Sequence, residues 1–174
     1  MKNKILFTML LAMSLAVFAG GRSSAAPVAE SCFGTGVING NEVVITGYDA
    51  ATCGGDVDIP ATISGMNVTS IGNNAFKDKG LTNVVIPDGV TQIGDHAFEN
   101  NAFAAVVLPS GLVSIGDYAF NSGNLASLTI PDTVTQMGQA AFAKNQLTSV
   151  TLSSALNTIP AGAFAENKLT SMTF

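Results

Sequence analysis

Five phenylalanines, Phe76, Phe98, Phe120, Phe142 and Phe164, stand 22 residues apart, and the chain around them repeats in step. An alanine precedes each one. Each following unit opens on an apolar residue: Leu81, Phe103, Leu125, Leu147 and Leu169. Two more lie three and five residues on, as Val84 and Ile86, Val106 and Leu108, Leu128 and Ile130, Val150 and Leu152. A fourth apolar column runs through Ile93, Ile115, Met137 and Ile159. Self-similarity at this period marks a solenoid, in which each repeat buries its apolar side against its neighbours. Such scaffolds bind far more often than they catalyse.

Within a unit the x-x-Val-x-Ile stretch alternates and is rich in Thr, Val and Ile, so it predicts a short strand. Pro87, Pro109 and Pro131 end it, because proline cannot donate the next ladder bond. The Ile-Gly-Asp-x-Ala-Phe run that follows (Ile93 to Phe98, Ile115 to Phe120) places an aspartate as N-cap of one short helical turn. Asn-rich residues such as Asn100-Asn101 turn the chain back.

Four regular units span 81–102, 103–124, 125–146 and 147–168, and a partial one spans 169–174. A divergent unit, 57–80, precedes them, with Ile59-Pro60 aligned to Ile86-Pro87 and extra residues around Ser64-Gly65-Met66-Asn67 that predict a hairpin tip. The solenoid therefore runs over 57–174. Before it, residues 32–56 predict an N-terminal hairpin cap. Val37 and Ile38 run into Asn39-Gly40, a pair that tolerates positive φ, and Val43-Val44-Ile45 runs back. Asp49 to Asp56 predicts a loop.

Residues 1–19 read as a secretory signal: Lys2 and Lys4, an apolar run from Ile5 to Phe18, and a small-residue cleavage site at Val17-Phe18-Ala19. Ser23-Ser24-Ala25 offers a later cut, as far as residue 25. The apolar run is short for a spanning helix, so no membrane span is expected after signal removal. Residues 20–31 are rich in small residues and proline and read as a linker. The expected location is outside the cytoplasm: extracellular, at the cell surface or periplasmic.

Beyond the signal, five cations stand against twelve carboxylates, a net of about −7. That balance repels nucleic acid and anionic membrane, and no basic stripe or zinc-finger spacing appears. Charged residues make up only 11% of the chain, against roughly 25–35% on a typical well-solvated surface. Small neutral side chains must cover the exterior, which suits adhesion and self-association. The two cysteines, Cys32 and Cys53, form an even pair in an exported chain and predict a disulfide.

These units resemble the BspA-type leucine-rich repeat of secreted and surface proteins. The resemblance is carried by Leu125-Ala-Ser-Leu-Thr-Ile-Pro-Asp-Thr-Val and Ile115-Gly-Asp-Tyr-Ala-Phe, and the strand half also fits L-x-x-L-x-L. It covers roughly residues 57 to 174. It implies an α/β solenoid, a right-handed coil with a short parallel sheet on the concave face and short helical turns on the convex side. It also implies a role in surface attachment or host-protein binding. The last unit departs from the pattern, with Ser153 in place of the strand-ending proline and Pro160 in place of glycine.

Residues able to do chemistry are few. His96 is the sole histidine and sits at a position filled elsewhere by Asn74, Tyr118, Ala140 and Gly162. A catalytic base needs an orienting partner and a nucleophile, so the reading is a solvated position. Asp88 and Asp132 alternate with Ser110 and Ser154 and read as turn residues, because calcium needs ligands converging at every turn. The phenylalanine column reads as buried spine. Asn67-Val68-Thr69 matches a glycosylation acceptor, relevant only in a eukaryotic secretory pathway. No enzyme, cofactor or metal site is expected.

The outward strand residues remain. If Val84 and Ile86 point inward, Asn83 and Val85 point out, as do Ala105 and Val107, Ser127 and Thr129, and Ser149 and Thr151. The resemblance carries ligand binding to this concave face. Its area is roughly 400 Å² from strand spacing and rise, against about 800 Å² per partner in a standard interface, so flanking loops or multiple copies must contribute.

The expected function is an exported, non-catalytic binding or adhesion module that engages protein or glycan surfaces outside the cell. The alternative is a structural or self-assembling envelope repeat protein. An ice-binding reading of the Ser-x-Thr ladder is disfavoured by Asn83-Val84-Val85 and Ala105-Val106-Val107, which interrupt it. The strand begun by Leu169, Met172 and Phe174 leaves an open edge, so self-association through that end, or a longer array, is a further expectation.

Overall fold

The computed structural model describes residues 28–174. The expected signal, and the linker as far as residue 27, lie outside them. The described chain opens with an antiparallel hairpin of β1 (Phe33–Ile38) and β2 (Glu42–Tyr48), turned at Asn39 and Gly40, both at positive φ. One helical turn, α1 (Ala50–Cys53), then occupies the segment expected to be a loop. Asp49 caps it, its carboxylate accepting from the Thr52 N–H at 3.3 Å.

The divergent unit contributes β3 (Asp56–Asp58), β4 (Thr62–Ile63) and β5 (Met66–Ile71), with β4 and β5 forming the expected small hairpin around Ser64-Gly65. The regular coils follow with β6 (Asn83–Val85), β7 (Gln92–Ile93), β8 (Ser114–Ile115), β9 (Ser127–Thr129), β10 (Gln136–Met137), β11 (Ser149–Thr151) and β12 (Ser171–Thr173). Each coil therefore has three walls: the strand wall read from the sequence, a second strand wall, and a wall of turns.

The second wall was not anticipated as a sheet. It runs in parallel through β5, β7, β8 and β10, and the hairpin joins it through the parallel pairing of β2 with β5. Its inward residues are Ile71, Ile93 and Ile115, all at most 2% exposed.

The wall of turns replaces the expected helical turns. Ala97 N–H reaches Gly94 O and Glu99 N–H reaches His96 O, both three residues back, and the chain goes no further into a helix. His96, Tyr118 and Ala140 sit at φ of 50–55°, and Asn100, Ser122 and Lys144 at φ of 56–58°. These left-handed residues aim alternate amides at the adjacent coil. Phe76, Phe98, Phe120 and Phe142 each donate to the alanine carbonyl one coil on, at 2.8 Å in all four cases.

The aspartate expected as N-cap does something else. Asn73, Asp95 and Asp117 each accept, through Oδ1, the N–H of the residue one coil further on, Asp95, Asp117 and Gln139, at 2.9, 2.9 and 2.8 Å. That side chain lies across the glycine of the next coil. A Cβ on Gly116 would stand 2.5 Å from Asp95 Oδ1, so only glycine fits beneath it.

Between the walls the phenylalanine column is buried, with successive ring centroids 5.0, 5.1, 5.2 and 5.8 Å apart and planes within 13° of parallel. Tyr48 and Phe33 of the hairpin extend it, the Tyr48 and Phe76 centroids lying 5.4 Å apart. Asparagines staple the column from the side. Asn145 is 2% exposed, and its Nδ2 donates to Phe120 O and Phe142 O while Oδ1 accepts from Leu125 N–H. Asn101 and Asn167 make the same bonds in their coils.

Candidate binding surface

The concave wall is built where the short strands pair. Ser127 and Thr129 on β9 stand in parallel register with Ser149 and Thr151 on β11, and these with Ser171 and Thr173 on β12. All six are exposed, while Leu128 and Val150 point into the core. Around them, Thr148 Oγ1 donates to Ala126 O and Thr170 Oγ1 to Thr148 O. Asn83 and Val85 lie exposed on β6, paired in parallel with Asp56 and Asp58 of β3.

The remaining two candidates depart from expectation. Ala105 and Val107 are exposed, Val107 at 69%, but the segment forms no strand. The predicted continuous sheet is therefore two patches, β3–β6 and β9–β11–β12. In intact coils Ile59, Ile130 and Leu152 donate to Val85 O, Thr151 O and Thr173 O at 3.0, 2.9 and 2.7 Å. The matching bonds from Ile86 and Leu108 are not made, nor is that from Ala104 to Thr82.

The cause lies one coil on. The staple position of Asn101, Asn145 and Asn167 is Gly123 in the intervening coil, so no side chain accepts the Phe103 N–H as Asn101 accepts that of Leu81. Two alanines follow Phe103, where branched residues would favour a strand. A cleft of about 670 Å³ opens between Asn83–Asp88 and Ala105–Val107.

Two features escaped the sequence reading. Asp56 and Asp58 belong to the concave wall, and the alternation Asp-Val-Asp ahead of Ile59-Pro60 was the available signal. The staple was readable as Asn101, Asn145 and Asn167, an asparagine two residues before the unit-opening Phe103, Leu147 and Leu169.

Elsewhere, a shallow groove of about 540 Å³ follows the second wall past Gln92, Ser114 and Gln136. On the wall of turns His96 stacks on Tyr118, centroids 5.1 Å apart and planes 2° from parallel. Glu99 Oε2 lies 2.6 Å from His96 Nδ1 and 2.7 Å from Lys77 Nζ. Burial alone would raise the Glu99 pKa, but the hydrogen bonds from Lys77 and His96 outweigh it and the net shift is downward. The bond to Glu99 in turn raises Lys77. Asn67 lies exposed in β5. Among the described residues no group of three or more His, Cys, Asp or Glu is placed to hold a metal ion, and no helix is long and apolar enough to cross a membrane. Cys32 and Cys53 are joined as a disulfide, Cα to Cα 6.1 Å.

A parallel solenoid of 22-residue coils with a two-part concave wall defines a leucine-rich repeat scaffold. Six copies of the BspA-type leucine-rich repeat region match residues 69–174, more than half the chain, and the protein belongs to that family. A leucine-rich repeat protein of T. pallidum is similar at 23% identity and TM-score 0.67, over 85% of this chain and 82% of that one. One from Bacteroides capillosus is 26% identical with TM-score 0.52, over 75% of this chain and 94% of its own. A leucine rich cell surface protein of Faecalibacterium prausnitzii is 21% identical with TM-score 0.51, over 86% of this chain and 55% of its own. A comparison with curated protein sequences finds no match.

Proposed function

We propose that this protein is an exported, non-catalytic binding module that engages protein or glycan surfaces outside the cell. The observation that carries this reading is the β9–β11–β12 patch, whose outward Ser and Thr side chains are exposed, uncharged and in register. Hydroxyls of this kind both donate and accept, and they cost little to desolvate compared with charged groups. The surface character of a similar protein supports export, as does the family. The β1–β2 hairpin, flanked by the Cys32–Cys53 disulfide and packed on Phe76 through Phe33 and Tyr48, serves in this reading as the cap that a solenoid needs over its first apolar coil.

The test is attachment of the mature protein to immobilised extracellular matrix proteins and glycans. Replacing Ser127, Thr129, Ser149 and Thr151 together with lysine is expected to abolish attachment while circular dichroism stays unchanged. Retained attachment moves the site off this patch.

A further inference from the structure

The geometry points to the cleft between Asn83–Asp88 and Ala105–Val107 as a docking site for an extended, basic polypeptide segment that adds to the β6 edge as a strand. This rests on the binding reading above but places a different ligand on a different patch. Three observations converge on it.

Hydrogen-bonding capacity comes first. In the intact coils the amides equivalent to Ile86 and Ala104 are bonded across the gap: Ile59 and Ile130 for the first, Thr82, Ala126 and Thr148 for the second, at 2.9–3.1 Å. At the cleft both donors lack that partner. These amides are left to water or to a partner, and an added strand supplies the missing carbonyls.

The second observation is the lining. Val85 is 36% and Val107 69% exposed, and both line the gap of about 670 Å³. A strand laid there would cover both valines with the alternate side chains of one face.

Charge identifies the kind of segment. Asp88 lines the cleft, and Asp56 and Asp58 stand on β3 in register with Asn83 and Val85. All three are exposed, and no Lys or Arg occurs between Lys79 and Lys144. Asp88 in the lining and the two carboxylates one strand away carry a single sign, so lysine or arginine alternating with apolar residues is the complementary pattern.

The experiment uses a fluorescein-labelled peptide of about eight residues, alternating valine and lysine and blocked at both ends, titrated with the mature protein and read by anisotropy. Two control peptides carry glutamate for lysine, or N-methyl groups on alternate amides. Saturable binding of the lysine peptide is expected, with at least about tenfold weaker binding of either control. Val107→Lys and Asp58→Lys should each weaken the lysine peptide by about tenfold. Both positions are exposed, and unchanged circular dichroism confirms that the variants fold. Alanine at Ser127, Thr129, Ser149 and Thr151, which adds no charge beside the cleft, should leave peptide binding as in the parent, even where it loses attachment to matrix or glycan. Equal binding of the N-methylated peptide would reduce the effect to charge adsorption and overturn strand addition. So would the absence of saturable binding, or indifference to Val107→Lys.

Discussion

The wall of turns and the concave wall are built from the same repeats, yet only one of them is continuous. On the turn side Phe76, Phe98, Phe120 and Phe142 all reach the next coil with bonds of 2.8 Å. On the concave side the series Ile59, Ile86, Leu108, Ile130 and Leu152 makes three bonds and misses two. The turn wall rests on stacked rings and on asparagines that hold backbone groups from two coils at once. No water can replace those partners, so a lapse there is expensive. The concave strands are three residues long with both outward side chains in solvent, so a lapse leaves groups that water or a partner can satisfy. Register is enforced on the turn side, and variation is tolerated on the concave side where ligands are expected.

Removing a ring from the stack should break this comparison most severely. Phe120 is 1% exposed, lies between Phe98 and Phe142, and meets Phe103 edge-on. Phe120→Ala is expected to cost about 3–5 kcal/mol through lost transfer energy and a cavity. Val107→Ala, on the open concave segment, should cost under about 0.5 kcal/mol. Thermal or urea unfolding of both variants gives the contrast directly. Similar losses would mean that the two walls carry the coil equally.

The disulfide tests whether the stack depends on its first members. Cys32 and Cys53 are 21 apart in sequence, and closing a loop of that size stabilises by about 3 kcal/mol in the chain-entropy model. Replacing both with serine should lower the unfolding midpoint accordingly. Hydrogen exchange should rise first at Tyr48 and Phe76, before the coils beyond Phe120. Uniform loosening of all coils would contradict neighbour-only coupling.

Asn145→Ala sharpens the account of the staple. It strands the Leu125 N–H and removes the donor shared by Phe120 O and Phe142 O. The expected cost is about 2–3 kcal/mol, because the Leu125 N–H and Phe120 O lose their partner, Phe142 O keeping that from Asn167, while little apolar area is lost. The coil at Gly123 already lives without the staple, and its strand is the one that opened. Solution spectra of the Asn145→Ala protein should show Ser127 and Thr129 losing strand character. A variant that unfolds less readily than the parent, or keeps β9 unchanged, would separate the staple from strand formation.

Much of this was legible in the sequence. Periodicity alone placed the phenylalanine spine and the inward Val and Ile columns, because burial repeats with the coil. The fourth column fails at its end, where Ile159 is 45% exposed, and the Ser64-Gly65 hairpin showed as extra residues that interrupt the repeat. The Asp95 and Asp117 carboxylates were misread as N-caps. Locally Gly-Asp-x-Ala-Phe does look like a helix start, and the competing partner, an amide 22 residues on, is invisible until the coils are stacked. The break at Ala105–Val107 was hidden for the same reason: its cause at Gly123 lies in the next repeat. Of the candidate ligand residues, the sequence located the outward positions, but not their division into two patches or the carboxylates of Asp56 and Asp58 beside one of them.

The smallest expected effect concerns the surface of the turn wall, where Glu99 bridges Lys77 and His96. Its carboxyl titrates below its ordinary value of 4.5 in the folded chain, because the bonds from both partners outweigh the cost of burial. A depressed folded pKa contributes stability above the unfolded value and loses it as pH falls through the folded one. Lys77 is shifted above its ordinary 10.5, so its share is present at lower pH and is lost only as pH rises through the raised folded value. Both changes leave the Lys77–Glu99 pair fully charged at neutrality. Glu99→Gln should therefore lower stability at pH 7 by under about 1 kcal/mol, as befits a partly exposed ion pair on the surface. Parent and variant should converge as pH drops below 4.5. His96→Ala should matter less still, since Lys77 retains its bond to Glu99. Thermal midpoints of parent and Glu99→Gln at pH 7 and pH 3 give the comparison. A gap that persists unchanged at pH 3 would show that the side chain acts through its bulk on the turn wall and not through its charge.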